Sequence, residues 1–136
     1  MHTFILRLMA GLFMLCFHGI PKVQKFDYLI TVFPDPLGIG AYASLCLVIF
    51  AEVFCSILLI TGTAIRFATI PLIITMFVAS FIIHADDPIA NIELPLMYLI
   101  IYGSLFISGP GKWAFQPHLP LNITSDIIRK LFKLPQ

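Results

Sequence analysis

Four long apolar stretches, at 4–20, 40–60, 67–83 and 92–108, constrain this chain more than any other feature of it. A bilayer hydrocarbon core about 30 Å thick is crossed by about 20 helical residues, or about 17 at the short end. Each stretch meets that length, and each is bounded by polar or turn-forming residues. None has the polar stripe of a helix lying on a soluble core. Composition agrees: 60% of the 136 residues are hydrophobic, 11% are charged and the mean hydropathy is +1.00, whereas soluble domains carry about 25% charge. The expected fold is an all-α membrane protein, a four-transmembrane-helix bundle forming one domain over 1–136.

The connections sharpen that picture. Arg7 interrupts the first apolar stretch and no small-x-small site precedes Pro21, so this stretch reads as a span and not as a cleaved leader. Between the first two spans, Pro21, Pro34, Pro36, Gly38 and Gly40 break the chain, yet Val23, Phe26, Tyr28, Leu29 and Ile30 are too apolar for a free loop. A short interfacial or re-entrant segment is expected there. Thr61-Gly62-Thr63 is so short that spans two and three must be antiparallel neighbours. Asp87-Pro88 has the form of an N-cap followed by a first-turn proline, with Asn91 as a second candidate start. Gly109-Pro110-Gly111 closes the last span. In the tail, 112–136, Trp113 fits an interfacial anchor, and 125–134 sets Ile127, Ile128, Leu131 and Phe132 against Arg129, Lys130 and Lys133, the pattern of a short amphipathic surface helix.

Charge decides orientation. Arg7, Arg66, Lys112, Arg129, Lys130 and Lys133 fall on the side of the termini, against Lys22 and Lys25 opposite. By the positive-inside rule both termini are expected in the cytoplasm of a multi-pass inner-membrane protein. The net charge of +1 and the lack of a like-charge run give no surface for nucleic acid. Cys16, Cys46 and Cys55 sit in apolar stretches without a Cys-x-x-Cys spacing, so they read as packing thiols, with an intramembrane Cys16–Cys46 pair as the alternative.

Ionisable groups inside a span are costly, about 2.5 to 3.5 kcal/mol at the centre on the insertion scale, and they usually face a partner or a cavity. Glu52 is the deepest, and Arg7 enters span one with a side chain long enough to reach inward. A buried Arg7–Glu52 pair is therefore expected. It serves either as a pin between helices or as a proton and hydrogen-bond acceptor beside a lipophilic ligand, and both roles need the same burial. A second constellation is expected at the opposite rim: His18 and Lys22 leaving span one, His84 leaving span three, and Asp86, Asp87 and Glu93 before span four. His18 and Lys22 share a face only if the helix runs through Pro21. Such imidazoles and carboxylates can hold a metal, move a proton or bind a quinone carbonyl. No ligand spacing on one element favours a metal, and Tyr28, Tyr98 and Tyr102 read as packing or interfacial aromatics.

Arg7, Phe17-His18-Gly19-Ile20-Pro21-Lys22, Glu52, and Leu59-Ile60-Thr61-Gly62-Thr63-Ala64-Ile65-Arg66 stand in an order that resembles the DoxX family of bacterial membrane proteins. Met76, Ala79, Phe81-Ile82-Ile83-His84, Glu93 and Gly109-Pro110-Gly111 extend the resemblance over about 4–116. It implies a four-span inner-membrane protein linked to quinone-dependent oxidation and to membrane oxidoreductase complexes. On this basis Glu52, Arg7 and His84 are the expected catalytic groups, and His18, Lys22, Glu93, Asp86 and Asp87 the expected ligand-binding ones. A quinone is the expected cofactor, for there is no flavin, haem or iron-sulfur motif. The lipid bilayer, a protein partner in a redox complex and a second copy of the chain are the expected partners. A non-catalytic anchor or assembly subunit is the alternative, and a small transporter a further one.

Overall fold

The computed structural model describes residues 2–111 and 114. The expected amphipathic tail helix and the Trp113 anchor lie outside the described residues. Four helices are long and apolar enough to cross a membrane: α1 (His2–Gln24), α3 (Ala41–Thr61), α4 (Ile65–Ile83) and α5 (Ile89–Ser108). A short helix, α2 (Phe26–Val32), fills the first connection. The spans pack in a ring in which α1 meets α3 and α5, and α4 meets α3 and α5.

Local chemistry sets the ends of these helices. Gly40 takes a positive φ of 96°, and the Asp35 carboxylate accepts the N–H groups of Ile39 and Gly40 at 3.0 and 2.8 Å and the Ser44 hydroxyl at 2.9 Å. These bonds, the one from Gly40 foremost, hold the Asp35 carboxyl below its ordinary range and tie the Pro-rich loop to the first turn of α3. At the far end of α3, Gly62 adopts the left-handed conformation, φ 83°. Its N–H bonds the Leu59 carbonyl at 3.2 Å while that of Thr63 bonds Leu58 at 3.0 Å, the paired closure of a Schellman motif. The chain thus reverses within a few residues, as the Thr61-Gly62-Thr63 sequence requires. At α5 the cap is Pro88 and not Asp87, because the Asp87 carboxylate is engaged by side chains described below.

Burial runs opposite to the pattern of a soluble protein. Arg7, Ser44, Glu52, Ser56, Thr69 and Ser80 are buried together with Met14, Leu59, Leu72, Tyr102 and Leu105. Phe17, Phe67, Ile100 and Ile107 face outward, Ile107 at 76% exposure and Arg7 at 1%. Only a hydrocarbon surrounding favours such an exterior, since no water remains there to hydrate a polar one. Cys16, Cys46 and Cys55 are free thiols, so the Cys16–Cys46 alternative does not form.

Two glycines set the register of α1 on α3. A Cβ at Gly11 would lie 3.1 Å from the Ser56 carbonyl oxygen, and one at Gly19 2.8 Å from that of Glu52. Small residues let the two backbones approach this closely. The numbers run in opposite senses, so the helices are antiparallel, with residue 19 level with residue 52.

Candidate functional site

Three of the spanning helices widen for one turn into π-helix: Leu15–Gly19 in α1, Phe50–Cys55 in α3 and Ala79–Ile83 in α4. The widening is direct in the Ile20 N–H bonding Leu15 and the His84 N–H bonding Ala79 at 3.1 Å, each five residues back. Such a turn accommodates one extra residue and re-aims the side chains beside it. In α1 it also receives Pro21, whose missing N–H falls where the ladder is already interrupted. The helix therefore continues to Gln24, and His18 and Lys22 lie inside the span on a common face.

All three wide turns border one cavity of about 560 Å³. His18 comes from the first, Glu52 from the second, and Ala79 and Ile83 from the third. Its walls are mostly apolar: Phe33 and Leu37 from the loop after α2, Leu47 and Val48 from α3, Ile74 from α4, Leu94 from α5.

At the inner end, Lys22 Nζ lies 2.6 Å from Glu52 Oε2, and Glu52 is only 3% exposed. The His18 ring meets Tyr98 edge-on, with 5.9 Å between centroids. The expected Arg7–Glu52 pair is replaced by this Lys22–Glu52 pair. The register explains the exchange: with Gly11 against Ser56 and Ile60, Arg7 falls at the last turn of α3. There its Nη1 donates to the carbonyls of Leu59 at 2.9 Å and Ile60 at 2.8 Å. The Leu59 carbonyl also accepts the Gly62 N–H of the helix cap at 3.2 Å, and both carbonyls lie at the negative end of the helix dipole.

At the other end, His84 Nδ1 lies 2.7 Å from Asp87 Oδ2, which also accepts from Asn91 Nδ2 at 3.2 Å. An ionised carboxylate only accepts, so Nδ1 carries a proton and donates it to Asp87. These bonds, His84 first, hold the Asp87 carboxyl below its ordinary range. His84 and Asn91 line the cavity mouth.

The expected rim constellation is thus divided in two. His18 and Lys22 descend to Glu52, while His84 and Asp87 stay at the mouth. Asp86 and Glu93 are exposed and line no part of the cavity. Among the described residues, no three His, Cys, Asp or Glu side chains gather to hold a metal ion. Ser44, Thr75, Asn91 and Tyr98 also line the cavity without having been picked out as ligand-facing. Only Asn91, four residues after Asp87 at the start of a helix, carried a local signal for its place.

A family model described as DoxX matches residues 2–85, which span α1 to α4 and His84. No curated protein and no solved structure matches the chain.

Proposed function

This multi-pass membrane protein belongs to the DoxX family, and we propose that it binds a quinone-like lipophilic ligand in the cavity, as an inner-membrane subunit served with electrons by a partner oxidoreductase. The observation that carries this reading is the place of the Lys22–Glu52 pair. An ion pair built only to pin helices is best covered by packing, whereas this one borders open space under apolar walls.

The residues present fit such a ligand. A volume of about 560 Å³ falls within the range of about 300–1,000 Å³ typical of small-molecule sites, which are mostly apolar with a few convergent polar groups. A quinone supplies reversible two-electron, two-proton chemistry at its ring oxygens. Leu47, Val48 and Ile74 provide the slot for a flat ring. Lys22 donates a hydrogen bond to a carbonyl oxygen at the inner end, and Glu52 stands beside it to take or return a proton, the geometry that general acid-base work requires. At the mouth, Nε2 of His84, oriented by Asp87, exchanges protons with water.

In lipid nanodiscs, a short-chain ubiquinone analogue at a hundredfold excess over its dissociation constant should stabilise the protein by about 2.7 kcal/mol and perturb the quinone absorption. If neither thermal stability nor spectrum changes, the ligand reading fails. The same reading puts both termini in the cytoplasm: a charge-sensitive reporter fused after Ile60 should read cytoplasmic, and one after Ile83 external. The reverse pair of signals would invert the molecule.

A second reading, a non-catalytic anchor or assembly subunit, draws on α5, whose membrane window is only 17% buried within the bundle. It expects substitutions at Glu52 or His84 to change the abundance of a complex but not the activity of what survives.

A further inference from the structure

Beneath the cavity lie two hydroxyls that the pocket reading does not use. Ser56 follows Glu52 by four residues on α3, and Tyr102 follows Tyr98 by four on α5, so each lies about one turn deeper than a residue of the cavity wall. Both side chains are fully buried, at 0% exposure. Neither Ser56 Oγ nor Tyr102 Oη has a hydrogen-bond partner among the described residues. The Tyr102 ring stacks on Tyr98 with 5.7 Å between centroids, and its hydroxyl is within electrostatic reach of Glu52.

Three other buried side-chain hydroxyls among the described residues are satisfied. Ser80 donates to the Met76 carbonyl at 2.8 Å, Thr69 to that of Arg66 at 3.0 Å, and Ser44 to Asp35. Leaving a buried hydroxyl unsatisfied costs about 1 to 3 kcal/mol. Buried hydroxyls left without a partner are the setting in which proteins hold an internal water, which typically makes about three hydrogen bonds. Simple packing does not account for them, since phenylalanine and alanine would fill the same space without the penalty.

We propose that Ser56 Oγ and Tyr102 Oη hold a buried water beneath the cavity floor, and that this water links Glu52 to the interior of the bundle. In this arrangement the water donates a hydrogen bond to the Glu52 carboxylate and accepts from the two hydroxyls. The water itself requires no ligand, so the two readings fail separately.

The test uses ligand-free full-length protein in nanodiscs and compares wild type with Ser56→Ala, Tyr102→Phe and the double variant. Infrared difference spectra should contain a water O–H stretch that shifts in ¹⁸O water and is lost in either single variant. Their effects on melting temperature should be markedly less than additive, because losing either hydroxyl already releases the shared water. If the band is absent from wild type, or persists in both single variants, the proposal is overturned. Strictly additive melting shifts would overturn it as well. Should Tyr102→Phe fail to fold, Ser56→Ala alone decides through the band. Loss of quinone binding with the band intact would count against the ligand reading only.

Discussion

Replacing Lys22 with Met is expected to destabilise the membrane-embedded protein by about 3 to 5 kcal/mol, the usual effect of removing one partner from a buried ion pair. Glu52 is 3% exposed and its carboxylate takes the Lys22 ammonium at 2.6 Å, so the variant leaves a buried carboxylate without its cation. Lys22→Met combined with Glu52→Gln removes both charges and should recover most of the loss, since a well-packed neutral pair is often as stable as the ionic one. That recovery separates structure from function. A pair that only pins α1 to α3 leaves the double variant fully functional. A pair that serves the ligand leaves it folded yet without the thermal shift that a quinone analogue produces in wild type. Unfolding under membrane-like conditions, with and without the analogue, measures both. A loss under about 1 kcal/mol for Lys22→Met, with the ligand shift retained, would remove the pair from the site.

The second large effect concerns Arg7. Arg7→Met removes the charge-assisted hydrogen bonds to the Leu59 and Ile60 carbonyls and is expected to cost about 3 kcal/mol, as one such bond is worth about 1.5 to 3. Its partner identity can be read from double-mutant cycles. Glu52 and Leu59 are seven residues apart on α3, about 10 Å along the axis, and groups so separated without shared partners add to within about 0.5 kcal/mol. The Arg7→Met/Glu52→Gln cycle should therefore close near zero. The Lys22→Met/Glu52→Gln cycle should leave a coupling of about 1 to 3 kcal/mol. Large coupling in the first cycle and none in the second would restore the pairing expected from sequence. Arg7 does not line the cavity, so the folded fraction of Arg7→Met should bind the analogue as wild type does.

Much of this molecule was legible in its residues. Four apolar lengths specified four spans, because a bilayer admits a backbone only when its polar groups are bonded within the helix. Thr61-Gly62-Thr63 specified a reversal too short for anything but antiparallel neighbours. Arg7, Lys22, Glu52 and the two histidines stood out because charge and imidazole are rare in such stretches, and their order carried the DoxX resemblance. What the residues could not say was which of them meet. Partner choice depends on the vertical register of one helix on another, which Gly11 and Gly19 set by close backbone approach. It depends equally on the π turns at Leu15–Gly19, Phe50–Cys55 and Ala79–Ile83, which rotate every later side chain and leave no hydrophobic periodicity to betray them. The tertiary structure alone therefore gave Glu52 to Lys22 and not to Arg7, and divided the expected rim cluster between the two ends of one cavity. Burial of a charge is decided by one residue's neighbours along the chain, but its pairing by the geometry of two helices at once.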